Sequence, residues 1–129
     1  MLLMQELQLY QIRAWCSWTL YVKNMETHFR KDMSAALGGM FFAEGNHFLT
    51  QKDPAGALES YLVAARHLCE SVEDADLEAV VTGIKDLLGR PGLTIQPRTR
   101  LNYQHTLKAL HASKHGHYAA EMEKLVKPS

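Results

Sequence analysis

What the chain lacks narrows its class first. Cysteine is scarce: Cys16 and Cys69 stand far apart and belong to no CxxC pair, which excludes a disulfide scaffold or a zinc ribbon. Both are expected as small buried hydrophobes in a reducing compartment. No stretch approaches the ~20 consecutive apolar residues of a membrane span. The opening Met1-Leu2-Leu3-Met4 is interrupted at once by Gln5, Glu6 and Gln8. It has no basic region before it and no small-residue cleavage site after it, so no leader is expected and the chain is read as cytoplasmic. Alternating apolar and polar runs are missing, and Val, Ile and Thr are too sparse for a sheet.

The signatures of catalysis are missing as well. Gly38-Gly39 is not followed by the Lys-Ser/Thr of a phosphate loop. Neither cysteine has a histidine in helical register to activate it, although His67 precedes Cys69 by two. Glu70, Glu73, Asp74, Asp76 and Glu78 cluster where a helix begins, a place where acids are expected for electrostatic reasons alone. His111 and His115 stand four apart, a metal-pair spacing, with His117 close by. No Glu directly follows the first His as a metalloprotease pattern requires, and no Cys is near, so a solvated histidine-rich helix end is expected, with no metal and no cofactor. Arg98 or Arg100 followed by His105 superficially matches the late Arg-then-His pattern of helical toxin-type nucleases. That spacing is short and common. No enzyme is expected.

Net charge is zero, yet it is unevenly spread. Residues 1–43 carry +1, residues 44–89 carry −6 and residues 90–129 carry +5. The acidic and basic parts can pack on one another or pair across a dimer. In the basic part the cations are scattered and the only aromatics are Tyr103 and Tyr118, a poor footprint for nucleic acid.

What is present is helical periodicity. At 129 residues, 47% of them hydrophobic and 22% charged, the chain suits one domain with a real core. Residues 2–30 contain neither Gly nor Pro and predict a long helix. Leu7, Ala14, Trp18, Met25 and Phe29 form its stripe, widened by Trp15, Tyr21 and Val22. Leu9, Ile12, Cys16 and Leu20 add apolar surface outside it. Such a helix is either central to a core or shared with a partner. Trp15 and Trp18 are therefore candidate interface residues, including for a homodimer.

Asp32, Met33 and Ser34 offer caps for a second helix ending near Gln51, and Gly38-Gly39 would push its start toward Met40. Asp53 and Pro54 read as the N-cap and first residue of a helix reaching about Val72. A further helix over 76–88 carries Leu77, Val80, Val81, Ile84, Leu87 and Leu88. Gly89 to Gln96 is the longest loop, Pro97 opens another helix with Leu101, Tyr103, Leu107 and Leu110, and Tyr118 to Lys127 makes a short last one after Gly116. The expectation is an all-α domain of five to six helices: a long N-terminal helix 2–30, a hairpin 40–72 and C-terminal helices 76–127.

The hairpin carries a family pattern. Phe41, Gly45, Phe48, Asp53, Ala57, Tyr61 and Ala64 sit at the intervals of a tetratricopeptide repeat, and the segment Phe41 to Leu68 resembles a single copy of one. Glu44, Pro54 and Cys69 depart from the pattern, and no second copy follows in register. The three-helix microtubule-interacting and trafficking domain is similar in spacing and stands as the alternative. The repeat resemblance implies an antiparallel helix pair whose first helix presents Phe42, Asn46 and Leu49 to a ligand. In the branch that grips chaperone tails a Lys stands where this chain has Phe42. The implied ligand is therefore an apolar helix or extended segment of another protein rather than an acidic tail. An adaptor or small chaperone-like interaction module is the expected function, and a structural homodimeric subunit the alternative.

Overall fold

The computed structural model describes the backbone of residues 2–71 and 74–126, and the side chains of residues 17–71 and 75–126. It is all-helical among the described residues, with five α-helices: α1 Leu2–Thr50, α2 Pro54–Leu68, α3 Asp74–Leu88, α4 Pro97–Ala112 and α5 Gly116–Glu123. The chain divides into two compact units, Met1–Asp32 and Met33–Ser129, taken separately below. Among the described residues no helix is long and apolar enough to cross a membrane.

The first departure from the sequence reading is that α1 does not stop near residue 30. Ser34, expected as a cap, is buried, and its hydroxyl donates to the Glu70 carboxylate at 3.3 Å, in the interior of a continuous helix rather than at a helix start where it would accept from backbone amides. Gly38 does not weaken a first turn either. It lies against the Leu68 side chain and the Ala64 carbonyl of α2, where a Cβ would collide. A long-range contact, invisible to local propensity, decides the conformation here.

The turn between α1 and α2 follows from backbone hydrogen bonding. Lys52 sits in the left-handed region at φ 60°. The Asp53 amide donates to Phe48 O at 2.9 Å and the Lys52 amide to Leu49 O at 3.1 Å, the paired bonds of a Schellman termination. Asp53 then caps α2, its carboxylate accepting from the Gly56 amide at 3.0 Å, while Pro54 opens the helix without forfeiting a donor. One acidic residue thus ends one helix and begins the next.

The core of Met33–Ser129 is built around α2. Ala57, Leu58, Tyr61, Leu62, Ala64, Ala65 and Leu68 are buried there, against Leu77, Val80, Val81, Ile84 and Leu87 of α3. Leu110 of α4 and Ala119 and Met122 of α5 close the cluster. Tyr61 is its widest member. A Cβ at Gly45 of α1 would stand 2.5 Å from one edge of the ring, and one at Gly83 of α3 would stand 3.0 Å from the other. The two glycines leave room for a single ring between α1 and α3.

α4 docks on α2 through a polar seam that apolar periodicity missed. Thr99 and Thr106 are buried, whereas Leu101, expected to face inward, is 55% exposed. The Thr106 hydroxyl lies 3.0 Å from Leu62 O and 3.0 Å from Asn102 O, and the Asn102 amide donates to Glu59 O at 3.3 Å. Short side chains that bond to a neighbouring backbone let α4 approach closely. The charge asymmetry finds part of its explanation at the same seam. Arg98 grips Glu59 through two hydrogen bonds at 3.2 and 3.1 Å, and Thr99 donates to the same carboxylate at 3.1 Å. Lys85 pairs with Glu121 at 3.0 Å.

Candidate protein-interaction surfaces

The three residues implied by the repeat resemblance fall on the last turns of α1 and are partly used inside the protein. Phe42 is half-buried, its ring 5.5 Å from that of Tyr61 and tilted by 37°. Asn46 is exposed, but its amide oxygen accepts the Tyr61 hydroxyl. Leu49 is half-buried against the core. Tyr61 therefore gathers Phe42 and Asn46, while Phe41 stacks on His67 with centroids 5.7 Å apart. The side chain of Trp15 lies outside the described residues.

Residues 17–32 of α1 have a different character. Trp18 is 61% exposed, Tyr21 56%, Met25 54% and Phe29 66%. Helical spacing sets these four on one face, and Val22 lies between them, half-buried. Trp18 and Tyr21 touch each other, centroids 5.9 Å apart. On the far side of the helix stand Lys23, Thr27, Arg30 and Lys31, with Leu20 as the apolar exception. Thr27 turns its hydroxyl back to Lys23 O at 3.0 Å. The segment is amphipathic, and its apolar side is contiguous and open.

Concavities open among the described residues of Met33–Ser129, and two of them bear on the candidate surfaces. One of about 470 Å³ lies between the end of α1, α2 and α4, where Phe41, Phe48 and Leu101 meet Arg66, Arg98 and His105. Arg98, whose approach to His105 raised the nuclease pattern, is here committed to Glu59. The second, about 680 Å³, is lined chiefly by Leu58, Leu88, Ile95, Leu107 and Leu125, with Tyr103 alongside. The Tyr103 hydroxyl finds no hydrogen-bond partner among the described residues. Its pKa is pushed up to about 12, chiefly by burial and secondarily by the charge of Glu123.

The histidine spacing does not survive as a helical pair. α4 ends at Ala112, so His111 and His115 do not share a helix. His111 meets Glu123 at 2.8 Å, and His115 is buried at the head of α5, stacked on Tyr118 with centroids 6.0 Å apart. Among the described residues no three His, Cys, Asp or Glu side chains come together as a metal site. Cys69 donates its thiol to Arg66 O at 3.0 Å. Burial first, and Glu70 second, hold that thiol above its ordinary pKa, the reverse of what a nucleophile requires.

Comparison with protein-family models, with curated proteins and with solved structures finds no match to this chain.

Proposed function

We propose that the chain is a protein-interaction module, an adaptor or small chaperone-like protein that engages a helical segment of another protein, and that it is not an enzyme. One observation carries the reading: four large apolar side chains, Trp18, Tyr21, Met25 and Phe29, share one face of a helix and each is more than half exposed. Rings of that size are costly to leave in water, and an interface with aromatic and Met residues at its centre is the common use of such a face. In this reading Met33–Ser129 is the folded anchor and the helical segment before it is the contact.

The finer architecture proposed for that anchor is a single tetratricopeptide-like pair, formed by the end of α1 and α2. Its support is the close approach of Gly45 to Tyr61 and to the Ala57 carbonyl, the small-residue crossing such a pair needs. The Phe42, Asn46 and Leu49 face is a second contact in this proposal, favoured by the exposure of Asn46.

Affinity capture from the native cell, read by mass spectrometry, tests the proposal. A Trp18→Ser/Phe29→Ser variant and a Phe42→Ala/Asn46→Ala/Leu49→Ala variant, each checked for helicity, are compared with the unaltered protein. The expected result is a specific partner lost with the first variant. A partner lost only with the second moves the site to the end of α1. A partner held equally by all three removes both faces from consideration.

A further inference from the structure

We infer that the concavity between the end of α1, α2 and α4 is a further contact surface, and that it takes an apolar segment of a partner protein whose single acidic side chain pairs with Arg66. This rests on the reading of the chain as an interaction module and adds the chemistry of what it holds. The first ground is an inversion of charge and burial. Two arginines line the concavity. The Arg98 side chain is 84% exposed and is nevertheless held by the Glu59 carboxylate. Arg66 is half-buried, and among the described residues its guanidinium makes no hydrogen bond and no ion pair. Solvation favours the opposite arrangement, because the cation that gives up more water has the greater need of a carboxylate. Burial also holds the Arg66 pKa below its ordinary value. Glu70, four residues on, accepts from Ser34 instead. A partly desolvated cation is thus left for a carboxylate from outside the chain.

The walls define what carries that carboxylate. Phe41 and Phe48, both half-buried, line the concavity from α1, Val63 from α2 and Leu101 from α4. Leu101 is 55% exposed, an apolar side chain on a space of about 470 Å³. That volume lies within the roughly 300–1,000 Å³ of binding clefts. A bare anion would leave these walls wet, whereas an apolar segment covers them. Acidic groups on the same walls exclude a polyanion. Glu59 is neutralised by Arg98, but Glu44, exposed on α1, has no ion pair among the described residues. Phe41 stacks on His67 while Gly45 meets Tyr61, so Arg66 lies toward the Phe41 end and Glu44 about a turn further along. One carboxylate seated on Arg66 avoids Glu44; a chain of phosphates does not.

The test selects binders to the full chain from a displayed library of random short peptides, and measures the enriched peptides, once synthesised, by fluorescence anisotropy. The expected peptides carry one Asp or Glu among apolar residues. Arg66→Gln weakens them by at least about tenfold, the loss of a charge-assisted hydrogen bond. Leu101→Ser, at an exposed position that folding tolerates, weakens them by about threefold, and Glu44→Gln tightens them by about twofold. Thermal unfolding separates binding from a structural role. Removing a partly desolvated cation that has no partner in the chain leaves the Tm of Arg66→Gln unchanged or slightly higher, whereas a structural cation would lower it.

Peptides without an acid overturn the inference, as do peptides held equally well by Arg66→Gln and Leu101→Ser, or a library that yields no binder. Peptides lost with Trp18→Ser/Phe29→Ser but kept by Arg66→Gln overturn this site alone and leave the face of residues 17–32 standing. Single-stranded DNA held through Arg66, with no peptide bound there, assigns the cation to a polyanion and overturns the inference as well.

Discussion

Two helical stretches of nearly equal length, α2 and residues 17–32 of α1, are both rich in apolar side chains and meet opposite fates. In α2 the apolar face disappears: Leu58, Tyr61, Leu62 and Leu68 are each at most 2% exposed, covered by the end of α1, by α3 and by α4. In residues 17–32 no described side chain is buried. The lesson is that periodicity announces that a face must be covered, not what covers it. Neighbouring helices of the same chain answer that demand for α2. The Trp18 face leaves it open, and the proposed function assigns it to another molecule.

The contrast can be broken most forcefully from its buried side. Leu62→Ala removes a fully buried side chain of α2, at the residue whose carbonyl accepts from Thr106 of α4, and is expected to cost about 3–4 kcal/mol in chemical denaturation. A loss under 1 kcal/mol would mean that the α2–α4 seam yields freely. Next in size is Gly45→Ala. The added methyl meets a Tyr61 ring already hemmed in by Gly83, Phe42 and Asn46, and stability should fall by about 2 kcal/mol.

Titration sharpens the comparison more gently. Tyr103 ionises near pH 12 in the folded state, against an ordinary value of 10. A phenol with a raised folded pKa favours the fold while it is protonated. Its contribution is complete below pH 10 and is lost as pH rises from 10 to 12. Tyr103→Phe should flatten that decline and, because the hydroxyl it removes is unpartnered, leave stability at neutral pH unchanged or slightly higher. An alkaline absorbance titration lacking a late phenolate step would contradict this. The smallest effect on the monomer is expected from Phe29→Ser, within about 0.5 kcal/mol at low protein concentration. A loss above 1.5 kcal/mol there would show the open face to be covered by its own chain.

Local signals were legible where the chemistry is local. Asp53-Pro54 marks the head of α2, Pro97 the head of α4, and the Gly89 to Gln96 loop separates α3 from α4 as read from Gly and Pro alone. The apolar positions of α2 and α3 fell to the core as their 3.6-residue spacing implies. What escaped depends on residues distant in the chain. Ser34 reads as a cap until Glu70 is seen to take its hydroxyl. Thr99, Asn102 and Thr106 share a helical face in the sequence, but only the carbonyls of α2 make that face an inner one. His115 looks like a partner for His111 until α4 is found to end before it. Of the candidate surface, the stripe containing Trp18, Met25 and Phe29 was readable, and its openness was not.

Tyr61 carries a consequence for descent. Its ring occupies room left by two absent side chains, at Gly45 sixteen residues before it and at Gly83 twenty-two residues after it. A methyl at Gly45 would force the ring aside and one at Gly83 would press on its other edge, while a smaller residue at the centre would open voids on both sides at once. The three positions are therefore coupled through one ring. In a distant homologue with an aliphatic residue at the centre, alanine becomes permissible at both ends. A tyrosine bracketed by glycines at those two intervals is thus a fingerprint by which divergent kin could be recognised after the rest of the sequence has changed beyond alignment.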